Sequence, residues 1–466
     1  MRFRLLGQQI ALPMVALATI EVVVFYTSLL AAGRLRFGGD LAQLERDRGP
    51  LWPRALLFSA AMAVCLLAFG LYSARQRARS GGIFVRVAIA VLAGIVITAA
   101  CFYIIPDLWI GRGVLSLAAL TAALIVLILR LGFSHLMDEA PFRRRVVVYG
   151  TGQRATAVSQ LRRRADQRGF LLTGFVRPVG EGLNVPEARV LNPEGQLLNY
   201  CRQAAIDEIV VAMDDRRRAF PVRELLECRL AGIDVVDLLT FLERETGRVR
   251  LDVLDPSWLI FGKGFRRGSL RRLSSNVLDV VASLMLLIVS LPFMLGTMIA
   301  IKFEEGWRAP VFYRQERVGL GGRTFYLLKF RSMRLDAESN GEARWAQKQD
   351  PRATRVGAVI RKLRIDELPQ ILNVLRGDMC FVGPRPERPQ FVAELAESIP
   401  YYMQRHCVKP GITGWAQLCY PYGSSQQDAV EKLQYDLYYI KNAGILLDLT
   451  ILAQTAEVVI FGKGAR

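Results

Sequence analysis

Histidine and regularly spaced cysteine are scarce in this sequence. Only two of the 466 residues are histidine, His135 and His406, which leaves little material for histidine-based metal binding or a Ser-His-Asp triad. The seven cysteines show no regular spacing, and Cys65 and Cys101 lie inside apolar runs. Neither a disulfide framework nor a zinc site is therefore expected.

Acidic side chains are also few compared with basic ones. The sequence has 61 Lys+Arg against 42 Asp+Glu, a formal net charge of +19, and 52% of its residues are hydrophobic. An apolar and strongly basic chain is typical of a membrane protein that works on anionic partners. Lipid headgroups, phosphorylated substrates and nucleic acid are the three candidates from charge alone.

Four apolar runs open the chain, and each approaches or exceeds the roughly 18–20 residues that span a bilayer as a helix. They are Ile10–Leu30, Ala55–Tyr72, Ile83–Ile105 and Val114–Leu129. Arginines flank the first and last runs, at Arg2 and Arg4 and at Arg143–Arg145, which indicates cytosolic flanks by the positive-inside rule. Glu21 and Arg86 lie within spans, and we expect both to face the interior of the helix bundle.

The middle of the chain alternates between short β-rich runs and helical segments, which predicts a parallel, Rossmann-like sheet. The predicted strands are Arg145–Tyr149, Leu171–Val176, Glu208–Met213 and Ile233–Leu238. Predicted helices lie near Glu194–Ala205 and Pro221–Leu230, and another follows the first strand and reaches about Arg168.

The loop after the first of these strands contains Gly150 and Gly152, which could hold a phosphate at a helix N-terminus. The second strand, however, ends in Arg177 rather than in the acid that would bind a ribose hydroxyl. The chain also contains no Tyr-x-x-x-Lys pair of the kind that short-chain dehydrogenases use. A structural or regulatory domain is thus favoured over an NAD enzyme.

A fifth apolar run, Val277–Ile301, separates the middle domain from the C-terminal part. Pro292 near its centre removes a helix hydrogen bond, and Ser290 could satisfy a backbone group that is freed there. We predict a helix that kinks at Pro292 and returns to the side from which it entered, because a simple crossing would separate the middle and C-terminal domains.

The stretch from Arg361 to Met379 centres on adjacent carboxylates, Asp366 and Glu367. Apolar spacing predicts a helix from about Glu367 to Leu375, with Pro369 in its first turn. Asp366 would then be the N-cap or lie just before it, where free N–H groups favour anions. Taken alone, the stretch is equally well a capped amphipathic helix with no catalytic role.

Other short motifs rich in Arg, Gly and Pro surround this carboxylate pair, and their order is more specific than any one of them. They are Tyr313–Gly319, Phe325–Met333, Asp350–Gly357, Val382–Glu387 and Val408–Gln417. Together they closely resemble the bacterial sugar transferase family, the polyprenyl-phosphate hexose-1-phosphate transferases that initiate surface polysaccharides. The resemblance extends from about Leu273 to the C-terminus, and Tyr420–Ser425 and Gln434–Lys441 resemble the exopolysaccharide branch associated with PEP-CTERM systems.

The resemblance implies a long, polytopic member with three regions. These are a membrane α-helical N-terminal bundle of four spans (residues 1–135), an α/β Rossmann-like middle domain (143–260) and an α-rich membrane-associated catalytic domain (273–466). The catalytic domain would contain a re-entrant kinked helix (277–301). The implied location is the bacterial inner membrane, multi-pass, with the catalytic domain facing the cytosol.

The resemblance also implies roles for individual residues. Asp366 matches the family's nucleophile and metal-binding carboxylate, and Glu367 matches its partner in the dyad. The matching positions for binding substrate phosphate are Arg361, Arg385, Lys329 and Arg331. The implied reaction moves a sugar-1-phosphate from a UDP-sugar to polyprenyl (undecaprenyl) phosphate through a phosphosugar-aspartate intermediate, with Mg²⁺ as cofactor. The expected partners are these two substrates and the membrane, without nucleic acid; a homodimer is left open.

Two other functions are weighed against this one. A membrane-tethered nucleotide-sugar dehydratase or epimerase would use the Rossmann-like domain, but the missing Tyr/Lys pair counts against it. A non-catalytic membrane scaffold of polysaccharide assembly would leave the ordered arginine motifs unexplained. The sugar itself is not determined: glucose is expected from the branch, with galactose or an N-acetylated hexose close behind.

Overall fold

The computed structural model describes residues 2–5, 8–38, 45–46, 49–72, 80–136, 143–161, 166, 169–192, 196–215, 220–255, 268–334, 352–420, 423 and 425–460. The chain forms two compact units, Met1–Trp258 and Leu259–Arg466. The first two residues of the Asp350–Gly357 motif and part of the Tyr420–Ser425 passage lie outside the described residues.

The first unit begins with a short antiparallel hairpin followed by four apolar helices. The hairpin pairs β1 (Arg2–Leu5) with β2 (Gln8–Ala11), and the helices are α1 (Leu12–Phe37), α2 (Trp52–Ala68), α3 (Ser80–Ile104) and α4 (Arg112–Leu136). The prediction of four N-terminal apolar helices is confirmed. Three of them, α1, α3 and α4, are long and apolar enough to cross a membrane.

Helix α2 is shorter than predicted, with 17 residues. It ends at Ala68 because the chain turns at Gly70, where φ is +72°, so Tyr72 lies beyond the helix. At 1.5 Å per residue its length is roughly 26 Å, at the lower limit for a membrane span.

Two buried charges of this helical region, Glu21 and Arg130, pair with each other, as expected for charges away from water. Glu21 is fully buried, and its Oε1 lies 2.6 Å from Nε of Arg130. The hydroxyl of Tyr72 donates to Oε2 of Glu21 at 2.5 Å. Arg86 is also buried, so the prediction that Glu21 and Arg86 face the bundle interior is confirmed. Removing one partner of such a pair would leave an uncompensated buried charge.

A five-stranded parallel sheet forms the middle part of the chain, which confirms the predicted α/β character. Its strands are β3 (Arg144–Tyr149), β4 (Phe170–Val176), β5 (Val190–Leu191), β6 (Glu208–Val211) and β7 (Asp234–Asp237), in the order β5-β4-β3-β6-β7. The helices are α5 (Gln153–Ser159), α6 (Leu197–Gln203), α7 (Val222–Leu230) and α8 (Leu238–Thr246). This strand order is that of a Rossmann-type sheet.

Apolar side chains cover both faces of the sheet. Val146 and Val148 belong to the core on one face, and Val147 and Tyr149 belong to the core on the other. Alternate residues of a strand point to opposite faces, so a strand buried on both sides has a continuous apolar sequence. The predicted helix to about Arg168 is interrupted in the structure: α5 ends at Ser159 and Gln160 lies in a turn, whereas Asp166 is again helical. Residues 162–165 and 167–168 are not described.

The second unit combines one long apolar helix with small sheets and short helices. Its elements are α9 (Ser269–Glu305), β8 (Phe312–Val318), β9 (Thr324–Phe330), α10 (Arg355–Lys362), α11 (Ile371–Arg376), β10 (Cys380–Val382), α12 (Pro389–Ser398), β11 (Gly411–Thr413), α13 (Trp415–Cys419), α14 (Gln426–Asn442) and α15 (Ile445–Ile460). Strands β8 and β9 form an antiparallel hairpin, and β10 pairs with β11 in parallel.

Helix α9 is one continuous helix of 37 residues that runs past Pro292. It extends beyond the predicted Val277–Ile301 at both ends. Ser290 is buried, and its Oγ lies 3.4 Å from the carbonyl oxygen of Leu287, a long distance for a hydrogen bond. The carbonyl that lacks a donor because of Pro292 is that of residue 288, so Ser290 does not compensate for it in the way we expected.

Candidate functional site

The carboxylate pair lies where two short helices meet. Helix α10 ends at Lys362, and Arg364 then adopts a left-handed conformation with φ +56°. A 3₁₀-helix, Ile365–Gln370, follows and contains Asp366 and Glu367; it leads directly into α11. The predicted single helix from Glu367 to Leu375, with Asp366 as its N-cap, is therefore wrong in its first turn.

The first turn is of the 3₁₀ type, as is common at the N-terminus of an α-helix, and the α-helix begins only at Ile371. Pro369 is tolerated in this turn because its missing N–H would have no partner within the helix. Asp366 is consequently held inside a turn rather than at a helix end, with its side chain buried.

Glu367 is neutralised by basic side chains from other segments. Its Oε1 accepts a hydrogen bond from Nη2 of Arg385 at 2.7 Å and lies 3.4 Å from Nζ of Lys329. Its Oε2 lies 3.7 Å from Nη1 of Arg364. Lys329 comes from β9 and Arg385 from the loop after β10, so the fold brings two distant segments to one carboxylate.

Asp366 differs from Glu367 in having no such partner within the described part of the chain. Its carboxylate makes no hydrogen bond or ion pair with another described residue, although it is only 9% exposed. Burial, and next the charge of Glu367, raise the pKa of Asp366 to about 6; Lys329, Arg385 and Arg361 partly oppose this rise. The dyad thus has one carboxylate already paired and one left available.

The pKa values of the two neighbours of Asp366 move in the opposite direction from that of Asp366. Burial opposes ionisation of Glu367, but Arg385 and Lys329 outweigh it and hold the pKa of Glu367 well below its usual range. Burial lowers the pKa of Lys329, and the charge of Glu367 offsets part of that effect. Two carboxylates whose pKa values diverge this far can take different roles in one reaction.

The predicted phosphate-binding residues divide into two groups. Arg361, in the last turn of α10, belongs with Arg385 and Lys329 because its charge lowers the pKa of Asp366. Its guanidinium makes no hydrogen bond or ion pair with another described residue. Arg331 instead interacts electrostatically with Glu305 at the end of α9. The structure therefore gathers three of the four around Asp366 and places Arg331 beside Glu305.

Asn373 is a residue of this site that the sequence did not point to. It is fully buried in α11, where its Oδ1 accepts from the amide of Leu328 at 3.0 Å and its Nδ2 donates to the carbonyl of Tyr326 at 2.8 Å. These bonds tie the helix after the dyad to the strand that carries Lys329. In the sequence, the signal for Asn373 was a single amide side chain among the apolar residues of the predicted helix.

The glycine loop of the middle domain is already occupied by acidic side chains of the same domain. Asp214 accepts hydrogen bonds from the amides of Gln153 and Arg154 at 2.7 and 2.8 Å. Glu181 accepts from the amide of Thr151 at 2.8 Å. A Cβ at Gly152 would clash with Oδ2 of Asp214. These carboxylates use the N–H groups that a phosphate would need, which favours the structural interpretation of the domain.

Comparison with known proteins agrees with the site. The model of the bacterial sugar transferase family matches residues 270–462. An Aeromonas hydrophila UDP-N-acetylgalactosamine-undecaprenyl-phosphate N-acetylgalactosaminephosphotransferase is 43% identical over 244 residues, 52% of this chain and 56% of that protein. A UDP-glucose:undecaprenyl-phosphate glucose-1-phosphate transferase of Xanthomonas campestris pv. campestris is 32% identical over 367 residues, 77% of this chain and 74% of its own.

A third relative is an undecaprenyl-phosphate glucose phosphotransferase of Komagataeibacter xylinus, 34% identical over 330 residues, 69% of this chain and 60% of that protein. The matched regions thus span less than two thirds of the first and third relatives. Because the Xanthomonas protein is matched over most of its length, the chain belongs to the bacterial sugar transferase family.

Proposed function

We propose that this protein transfers a sugar-1-phosphate from a UDP-sugar to membrane undecaprenyl phosphate, as a phosphoglycosyl transferase that initiates exopolysaccharide synthesis. The observation that carries the proposal is the unequal dyad. Among the residues that the structure describes, Asp366 is a buried carboxylate without an ion-pair partner, while the adjacent Glu367 holds Lys329 and Arg385 beside it. The relatives named above are transferases of this kind.

The reaction takes place in two displacements at one phosphorus. In the first, an oxygen of ionised Asp366 attacks the β-phosphorus of the UDP-sugar, and the bond to the bridging oxygen breaks, so that UMP leaves. In the second, an oxygen of undecaprenyl phosphate attacks the same phosphorus and releases the Asp366 carboxylate. A carboxylate nucleophile splits one difficult transfer into two easier ones. The raised pKa of Asp366 makes it a more basic nucleophile that is still mostly ionised at neutral pH.

The surrounding cations would bind the donor diphosphate. Arg361, Arg385 and Lys329 are the groups whose charges reach Asp366, and guanidinium groups suit bidentate binding of phosphate oxygens. Glu367 keeps Lys329 and Arg385 in place before the substrate arrives. Such preorganised charge is the main source of catalysis in phosphoryl transfer.

Mg²⁺ fits this site as an ion that is held by a single protein carboxylate and by the substrate. The described residues contain no cluster of three or more His, Cys, Asp or Glu that could hold a metal ion. Asp366 offers one carboxylate, and Mg²⁺ commonly binds through one or two carboxylates together with substrate phosphates and water. We therefore propose Asp366 as its protein ligand; when bound, the ion would neutralise charge on the diphosphate.

Contacts at both ends of α9 support a re-entrant topology. In its N-terminal third, Oδ1 of Asp279 accepts from the amide of Phe381 at 2.7 Å. At its C-terminal end, Glu304 accepts from the amides of Arg355 and Val356 at 2.7 and 3.0 Å. Strand β10 and helix α10 belong to the same compact unit, so we propose that both ends of α9 lie on the same side of the membrane.

The outer surface of α9 is apolar from Val277 to Phe303, as a lipid-facing surface should be. Exposed side chains include Val277, Met285, Ile288, Phe293 and Phe303. We propose that this surface enters the cytoplasmic leaflet of the bacterial inner membrane, with the catalytic unit on the cytosolic side. There the dyad can receive both a soluble nucleotide-sugar and a lipid phosphate. A homodimer remains a prediction.

The test is a panel of UDP-sugars incubated with the full-length protein, undecaprenyl phosphate and Mg²⁺. Release of UMP is expected with at least one sugar, with UDP-glucose the first choice and UDP-galactose and UDP-N-acetylgalactosamine next. A dehydratase, an epimerase or a scaffold would release no UMP. Asp366→Asn should abolish release, whereas Glu397→Gln, which removes an exposed carboxylate on α12, should not change it.

A further inference from the structure

The loop that carries Arg385 is held at four successive carbonyl groups, and each has a different donor. The carbonyls of residues 384, 385, 386 and 387 accept from the amide of Gly411 at 2.9 Å, Nη2 of Arg405 at 2.9 Å, Nη1 of Arg317 at 3.0 Å and the amide of Val318 at 3.0 Å. The bond at residue 385 itself is thus made by a side chain, that of Arg405.

Arg405 is buried and is held at several points. It lies in a 3₁₀-helix, Tyr402–Cys407, and is 7% exposed. Its Nη1 donates to the hydroxyl of Tyr402 at 2.8 Å, and its Nη2 lies 2.9 Å from Oδ2 of Asp436, a residue of α14 that is 2% exposed. A buried guanidinium with a buried counter-ion keeps one orientation, because any other would leave charge unpaired.

The same guanidinium therefore connects α14 to the main chain of Arg385. The Nη2 of Arg385 in turn donates to Glu367 at 2.7 Å, next to Asp366. A chain of contacts runs from Asp436 through Arg405 to Arg385 and the dyad. Neither Asp436 nor Arg405 contacts the dyad, so their effect on it must pass through Arg385.

We propose that Arg405, held in place by Asp436, is a positioning residue: it fixes the main chain of Arg385 and so determines how far the Arg385 side chain extends towards the dyad and the donor diphosphate. This inference rests on the proposed transferase function. A displacement of about 1 Å in a positioning group can lower a rate by about 100-fold, so a small shift of the Arg385 carbonyl is enough to matter. The role differs from that of Arg317, which holds the neighbouring carbonyl and pairs with Glu387 at 3.5 Å.

The experiment is a double-mutant cycle on the full-length protein in nanodiscs, read as UMP release. Arg405→Lys keeps the charge, but an ammonium group lacks the planar set of donors with which the guanidinium holds its three partners at once. The substitution should lower kcat/KM by about 10- to 100-fold. In the Arg385→Ala background the same substitution should have almost no further effect, because the residue through which it acts is gone. Arg376→Lys, on the exposed end of α11, is the matched control and should leave kcat/KM unchanged.

A second readout separates positioning from loss of folded protein. Arg385 is placed to contact both the dyad and the donor diphosphate. If Arg405→Lys moves Arg385 away, the KM for the UDP-sugar should rise while kcat falls; partial unfolding would lower kcat through the smaller amount of active protein and leave KM unchanged. Asp436→Asn, which keeps an oxygen near Arg405, should raise KM in the same way and covers the case in which Arg405→Lys does not fold.

The outcomes are distinguishable. An additive effect of Arg405→Lys in the Arg385→Ala background, or an unchanged KM for the UDP-sugar in both single variants, would overturn the positioning role while leaving the transferase intact. Absence of UMP release from the unmodified protein with every UDP-sugar would instead overturn the proposed function on which it rests.

Discussion

Replacing Asp366 by Asn should abolish the reaction and at the same time make the protein more stable. The pKa of this buried carboxyl is raised from 3.8 to about 6, so the folded state holds its proton more tightly than the unfolded state does. The unfolded state therefore binds fewer protons between these two pH values, and the free energy of unfolding decreases as the pH rises through this window. Above pH 6, ionised Asp366 costs the fold about 3 kcal/mol, at about 1.4 kcal/mol for each pKa unit.

An amide has no charge to bury, so Asp366→Asn should recover up to this amount at pH 7.5 and less than about 1 kcal/mol at pH 4. For a unit of roughly 200 residues, each kcal/mol raises the melting temperature by about 2–4 °C. The assay pairs thermal unfolding of the detergent-solubilised protein at the two pH values with UMP release. Equal or lower stability of the variant at pH 7.5, or undiminished UMP release, would refute the reasoning.

Three further predictions follow from the geometry of the site and of α9. UMP release should decrease as the pH falls below about 6, because protonated Asp366 cannot attack. Glu367→Gln removes a neighbouring negative charge, so the pH at which the rate falls should become lower. An unchanged pH would contradict the effect of the Glu367 charge on the pKa of Asp366. In a cysteine-free protein, single cysteines at Gly268 and Arg308 should both react with a membrane-impermeant reagent only from the cytosolic side; labelling from opposite sides would mean that α9 crosses the membrane. Pro292→Ala should favour such a crossing and should reduce the share of protein with both ends cytosolic.

The sequence was most informative where local pattern and tertiary environment agree. Apolar runs predicted the N-terminal helices, and the alternation of strands and helices predicted the parallel sheet. Strand β3 reads Val146 to Val148 without a polar residue, and the structure shows why: successive side chains enter the cores on the two faces of the sheet. Boundaries were harder to predict, because turns such as that at Gly70 end a helix inside an apolar run.

The candidate site was predictable in residue type but not in arrangement. The adjacency of Asp366 and Glu367 is visible in the sequence, whereas their unequal environments arise from contacts over long sequence distances. Lys329 and Arg385 are 38 and 18 residues from Glu367 along the chain, and no local pattern reveals that both meet the second carboxylate. Buried connectors such as Asn373 are similarly determined by tertiary packing, since one polar residue in an apolar helix can equally well lie at the solvent edge of that helix.

The central claim is that Asp366 forms a covalent bond to the transferred phosphosugar. Its most direct test is peptide mass spectrometry of the protein incubated with Mg²⁺ and an active UDP-sugar, in the absence of undecaprenyl phosphate, followed by rapid acid quenching. The account predicts a hexose-phosphate adduct on the peptide that contains Asp366, lost when undecaprenyl phosphate is added and absent from Asp366→Asn. UMP release without any adduct, or an adduct on another residue, would contradict it.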